Sequence, residues 1–206
     1  ISSRITRGQK TMSSSGERQK LKDVYALIAE LWCGPPDPDA ERDEADGDAE
    51  RIVEDWQEVD GESATLLSRF LGENTTSEEE YIELFELDPK CALYLGSHTH
   101  EEPKTCANSA VSERNGYMIN LVGIYNHFGR KPNGSELPDY LPLMVDFLSL
   151  SSEKNDDPVR AKLINEFFLP YLPPMRSRLE ELKTPYLLLF DALGKVIDTD
   201  LKTQST

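Results

Sequence analysis

The stretch ERQKLKDVYALIAELWCGPP, residues 17–36, decides the architecture. Leu21, Val24, Tyr25, Ile28, Leu31 and Trp32 recur three or four positions apart, the spacing that gathers apolar side chains on one helical face. The stretch therefore predicts an amphipathic helix from about Glu17 to Cys33. Gly34-Pro35-Pro36 ends it, because proline supplies no backbone donor and its ring crowds the preceding turn.

The same period recurs downstream. Ile52, Val53, Trp56, Val59, Leu66, Leu67 and Phe70 predict a helix over about 48–71 with a break at Gly61. Ser77-x-x-Glu80 has the form of a capping box, opening a helix that turns Tyr81, Leu84 and Phe85 inward. Leu87-Asp88-Pro89 marks a boundary, and Cys91 to Leu95 reads as a short helical segment. Tyr117, Leu121, Ile124, Tyr125 and Phe128 place a long helix over about 108–128, closed by Gly129 through positive φ.

Asp139-Tyr140-Leu141-Pro142 predicts a helix start in which Asp139 accepts the Leu141 amide and Pro142 falls where no donor is required. That helix ends near Leu150. Asp157-Pro158 repeats the pattern. Pro170, Pro173 and Pro174 are read as interruptions before a last helix from Met175 to Leu193 that bends at Pro185. No strand alternation bounded by hairpin turns accompanies these signals, so the fold class is all-α, a single-domain helical bundle. Its expected organisation is a flexible N-terminal segment over 1–16, a helical domain over 17–199 with an acidic flexible connector over 37–47, and a tail over 200–206.

Composition narrows the function. The net charge of -16 disfavours nucleic acid and anionic lipid as partners. Thirteen acidic residues against Arg42 and Arg51 between Asp37 and Glu62 supply -11 of it, in a tract read as a solvated connector leading into a polar helix face. Apolar runs such as Tyr186 to Phe190 are far shorter than the roughly 20 residues that span a bilayer, so no stable membrane insertion is expected. Three scattered cysteines and a polar, Ser-rich start without the apolar segment of a secretory signal point to the cytoplasm.

Chemistry-bearing constellations are sparse. Cys91, His98, His100 and Cys106 are possible zinc ligands, but their spacings lack paired short separations, and Cys91 reads as a buried small side chain with both histidines on a solvated helix end. Ser97 beside His98 has no third orienting group. Neither GxxxxGK[ST] nor GxGxxG is present. Glu136 and Asp139 flank the proline-containing helix start near Arg130; a local salt bridge with a cap and a polar rim for a cationic peptide are both open readings.

Several motifs carry a family resemblance. Asp88-Pro89 precedes Ala92-Leu93-Tyr94-Leu95 and a His-containing turn; then come Ile124-Tyr125-Asn126-His127-Phe128-Gly129, Glu136-Leu137-Pro138-Asp139-Tyr140-Leu141-Pro142-Leu143 and Asp146-Phe147-Leu148. This order resembles the redox-enzyme maturation chaperones: the nitrate reductase delta-subunit assembly proteins and their relatives serving DMSO and TMAO reductases. It covers about Asp88 to Leu148, roughly a third of the chain. Tyr140 stands where many members have histidine, and the acidic tract is no part of the family pattern.

The resemblance implies a helical, non-catalytic, cytoplasmic chaperone without a cofactor of its own. Its partner would be the catalytic subunit of a molybdopterin-containing oxidoreductase, bound through its N-terminal or twin-arginine signal region during cofactor insertion. Carried over by motif, Tyr125, Gly129, Arg130, Glu136, Pro138 and Asp139 form the peptide-binding or hinge region, with Tyr94, His98, His127 and Tyr140 as secondary candidates. An apolar groove would hold the peptide while carboxylates at its rim, Glu136 and Asp139, attract arginines. The competing readings are a helical scaffold without a cofactor-enzyme client and a small metal-dependent hydrolase.

Overall fold

The computed structural model describes residues 14–35, 44–100, 113–132, 134–154 and 156–204. The amphipathic stretch forms helix α1, Ser14–Leu31, which ends two residues short of the expected Cys33 and carries Leu21, Val24, Tyr25, Leu27 and Ile28 on its buried face. α2 spans Glu44–Gln57 and α3 Gly61–Glu73. The break falls just ahead of Gly61, where the Asp60 carboxylate accepts the amides of Glu62 and Ser63 and so starts α3 afresh. α4, Glu78–Phe85, opens with the predicted capping box, both reciprocal bonds between Ser77 and Glu80 being present.

After α4 the chain departs from expectation. Cys91 to Tyr94 is extended or irregular, and a 3-10 turn occupies Leu95–His98. Tyr94 forms an isolated antiparallel bridge with Tyr140, and no sheet is found among the described residues. α5 covers Glu113–His127 and α6 Leu141–Leu150. α7, Pro158–Lys162, is capped by Asp157 through the Val159 amide at 2.8 Å.

α7 then widens into a π-helical stretch over Leu163–Phe168 and tightens into a 3-10 turn over Leu169–Tyr171. Pro170 supplies no amide donor, and the helix loosens just ahead of it. Pro173 and Pro174 interrupt nothing, because they fall in the first turn of α8, Leu172–Leu182, where amides have no intrahelical acceptor. The last expected helix is two: Lys183 takes the left-handed conformation at φ 52°, and α9, Tyr186–Gln204, starts beyond Pro185.

α1 is the hub, packing against α6, α2 and α9, while α9 also packs on α3 and α8. At one end Tyr186 sits among Trp32, Phe85 and Phe70 at ring separations of 5.3, 4.8 and 5.2 Å. At the other, fully buried Arg160 forms a bidentate pair with Asp200, and Asp200 also accepts the Tyr25 hydroxyl at 2.9 Å. Arg160 is completed by Ser151 Oγ and the Leu148 carbonyl. Burial, with the Asp200 charge next, pushes the Tyr25 phenol well above its ordinary value.

This network redraws the expected organisation. Asp200 to Gln204 continue α9 instead of forming a tail, because the Asp200 carboxylate is held inside the bundle. Ser14 to Gly16 already belong to α1, and Glu44 to Gly47 already belong to α2; the remainders of the expected flexible segments lie outside the described residues.

Asp200→Asn leaves Arg160 buried without its counter-charge and should cost about 3–5 kcal/mol of unfolding free energy in urea denaturation. The paired replacement Arg160→Met with Asp200→Leu should recover much of that loss.

Candidate functional site

The loop preceding α6 is tied to the strand-like segment preceding the 3-10 turn. Leu95 N–H donates to the Asp139 carbonyl at 3.0 Å, and Leu141 N–H donates to the Leu93 carbonyl at 2.7 Å. Asp139 is fully buried beneath this crossing, and its Oδ2 accepts the Gly96 amide at 3.0 Å. A Cβ at Gly96 would stand 2.8 Å from that oxygen and 3.2 Å from the Tyr117 ring, so the close approach depends on glycine. Burial pushes the Asp139 carboxyl up; Arg114, 3.9 Å away, and the Gly96 amide pull it partly back.

Two expectations fall here. The Leu141 amide is already bonded to Leu93, so Asp139 is not the helix cap; Tyr140 occupies that position without a side-chain cap, and Pro142 lies one residue nearer the start than expected. Nor is Asp139 on a rim, since it has no exposed surface. No ion pair joins Arg130 to Glu136 or Asp139 among the described residues. Glu136 instead accepts the Tyr94 hydroxyl at 2.6 Å, a bond that pushes the phenol up to about 12.

Around this anchor lies an open groove of about 610 Å³. One wall is α1, contributing Ala26, Ala29 and Glu30, with Cys33 from the turn just after it; the other is α6, contributing Pro142, Leu143, Asp146, Phe147 and Leu150. Tyr125, Tyr140, Glu136 and the lip from Arg130 to Pro132 complete it. The volume falls within the range of roughly 300–1,000 Å³ typical of ligand pockets. Apolar surface dominates the walls, but the edge is mixed in sign, with Glu30, Glu136 and Asp146 facing Arg130 and Lys131.

The predicted residues divide accordingly. Tyr125, Arg130, Glu136 and Tyr140 line the groove. Pro138 supports it from behind through its carbonyl, which accepts the Tyr125 hydroxyl at 2.7 Å. Gly129, at φ 70°, ends α5 and launches the lip. Tyr94 packs on Tyr140 at 5.4 Å.

His98 and His127 sit elsewhere. His98 bonds the Ala92 carbonyl at 2.7 Å and lines a separate polar depression with Lys90 and Arg178. His127 is exposed and bonds Asp157 at 3.0 Å, drawing that carboxyl below its usual range. Sequence reasoning missed Ala26, Ala29, Glu30 and Cys33, although their i, i+3, i+4, i+7 spacing put small and polar side chains on one strip of α1. Asp146 was quoted within the resemblance but given no role.

The metal reading finds no support: among the described residues no group of three or more His, Cys, Asp or Glu converges on a metal-sized site. Cys106 lies outside those residues. Cys91 is buried, its thiol pushed up to about 12 by that burial. His100 packs between Tyr117 and Tyr171, not on a solvated helix end. No helix among the described residues is long and apolar enough to cross a membrane.

With this geometry in place, comparison with known proteins decides the kinship. The family model described as the nitrate reductase delta subunit matches residues 53–191, more than half of the chain. The chain belongs to the nitrate reductase delta subunit family. Among curated members it is 31% identical over 126 residues to the probable nitrate reductase molybdenum cofactor assembly chaperone NarW of Escherichia coli, covering 61% of this chain and 49% of that protein. It is 29% identical over 143 residues to the assembly chaperone NarJ of the same organism, covering 67% and 55%. The probable NarJ of Bacillus subtilis is 28% identical over 115 residues, covering 56% and 55%. The chain thus spans about half the length of the curated relatives it matches. The family match covers α3 to α8 and most of the groove, while the α1 wall precedes it.

Gly96→Ala should destabilise the fold by about 1–3 kcal/mol in urea denaturation, through the clash with Asp139 and Tyr117. Because the Asp139 carboxyl is raised in the folded state, its protonation favours folding. Its contribution to stability therefore grows as pH falls through the folded value toward the unfolded value near about 4. The stability difference between the wild type and Asp139→Asn, followed by denaturation from neutral to acid pH, should shift toward the wild type over that interval.

Proposed function

We propose that this chain is a system-specific assembly chaperone whose α1–α6 groove holds the N-terminal or signal-bearing segment of a molybdenum-enzyme catalytic subunit while its cofactor is inserted. The observation that carries this reading is the groove itself. Its apolar walls suit the greasy face of a peptide helix, its lip carries charge of both signs, and four residues singled out by motif line it. Membership in a family whose curated members are named cofactor assembly chaperones supports the same role.

In this role the protein acts by binding and carries out no chemistry. Apolar contact supplies residence time, and the charged lip supplies encounter and discrimination. The Tyr94–Glu136 and Tyr125–Pro138 bonds hold the floor in place before the peptide arrives, which lowers the ordering cost of binding. The protein works in the cytoplasm, where an unfinished catalytic subunit is still accessible.

A synthetic peptide carrying the N-terminal segment of the partner nitrate reductase catalytic subunit tests this by titration calorimetry. Ala26 is exposed on the groove wall, so Ala26→Trp fills the groove without removing core packing. That variant should bind the peptide at least about tenfold more weakly, a loss of about 1.4 kcal/mol. Exposed Cys33 lines the same wall, and the bound peptide should protect it from alkylation. Equal peptide affinity in the wild type and a normally folded Ala26→Trp variant overturns the reading.

A further inference from the structure

α5 carries a surface that the bundle does not use. Asn115 to Gly129 runs fifteen residues without Asp, Glu, Lys or Arg, the longest such stretch in a chain of net charge -16. One side of the helix packs inward through Tyr117, Leu121, Ile124 and Tyr125. A surface helix of a globular protein ordinarily turns charged side chains to solvent. This one turns out Gly116, Ile119, Asn120, Val122, Gly123 and Asn126, and Ile119 keeps 63% of its surface exposed.

The fold does not call for those two glycines. Neither has a positive φ, and a Cβ at either would meet nothing within 4 Å. Glycine weakens a helix relative to alanine, so packing within the chain gives no reason for either. A second backbone lying close against the face does, because the missing side chains make room for it. Glu113, Gly116, Asn120, Gly123 and His127 follow one another at intervals of 3, 4, 3 and 4 positions, the spacing that keeps one seam of a helix against one partner helix.

That seam is complementary to itself when reversed. Two copies of α5 laid antiparallel bring Gly116 against Gly123 of the other copy, Asn120 against Asn120, and Glu113 against His127. Asn120 donates one amide hydrogen to the Gly116 carbonyl at 2.8 Å, which leaves the other hydrogen and the amide oxygen to meet its counterpart. The ends differ in sign. Glu113, its side chain 91% exposed, opens the helix, while Arg130 and Lys131 follow its last turn, so reversed copies match unlike charges at both ends. Other faces of two such acidic chains repel one another.

We propose that the outward face of α5 docks on the same face of a second copy of this chain, antiparallel and two-fold about Asn120, with the backbones closest at Gly116 and Gly123 and Ile119 closing the flank. A single pair of helices about 22 Å long is smaller than the roughly 800 Å² per partner of a standard stable interface, so the dimer is weak and reversible. Tyr125, which lines the groove, stands on the inner side of α5, and each copy keeps its groove open.

Sedimentation equilibrium of the full chain from about 1 µM to about 1 mM, the range suited to an interface of this size, should show monomer passing into dimer. Asn120→Glu sets two carboxylates against each other across the two-fold axis and should weaken dimerisation at least about tenfold. Gly116→Gln with Gly123→Gln should weaken it as much, yet melt no lower than the wild type in dilute solution, since glutamine favours a helix and has room at both positions. In a Cys33→Ser background, Asn120→Cys should give a disulfide-linked dimer on mild oxidation, whereas Glu78→Cys at the exposed start of α4 should not. A chain that stays monomeric throughout, or a dimer that Asn120→Glu and the glycine double variant both leave intact, overturns the proposal. Peptide affinity in Asn120→Glu should equal that of the wild type, which keeps this test separate from the groove.

Discussion

The crossing of the Tyr94 and Tyr140 segments over the buried Asp139 carboxylate holds the rest of the site in place. Two backbone bonds join the segments, and the Gly96 amide reaches the carboxylate only because no side chain stands at that position. From this crossing follow the direction in which α6 leaves, the placement of Tyr140 over the groove, and the nearness of Glu136 to the Tyr94 hydroxyl. Asp139 bears the cost of desolvation, eased by Arg114 and one backbone donor. A buried carboxylate of this kind specifies one arrangement of two loops that hydrophobic packing alone would leave free to slide.

The bundle beneath is stabilised in a different way at each end. Around Tyr186, tilted and edge-on aromatic contacts give α3, α4, α9 and the turn after α1 a common apolar centre. Around Arg160, a fully enclosed ion pair with two further acceptors and the Tyr25 hydroxyl ties α1, α7 and α9 together. α1, with the turn after it, takes part in both, so the helix that forms one wall of the groove is among the best anchored in the molecule.

Much of the fold was legible because helical periodicity is a local property. The α1 stripe, the Ser77–Glu80 capping box, the Gly129 terminus and the Asp157–Pro158 start each depend on residues within a few positions of one another, and each appears as read. Local reasoning failed where a distant partner competed for the same group. The Asp139 cap is geometrically reasonable within its own four residues, yet the Leu141 amide goes to Leu93 and the carboxylate to Gly96, both more than forty positions away. The supposed tail beyond Thr199 is helical for the same reason, since Asp200 finds Arg160 forty residues upstream.

By itself, then, the amino-acid order determined the helical class, most element boundaries and the short list of motif residues, because turns, caps and apolar stripes are written in neighbouring side chains. Only the tertiary structure decided which of those residues share a surface. It withdrew Asp139 into the interior, sent His98 and His127 to other faces, and brought Glu30 of the first helix and Cys33 just beyond it into one groove with Asp146 of the sixth. A groove is formed by elements distant in sequence, and the periodicity of each helix records which face is apolar without recording which neighbour it will meet.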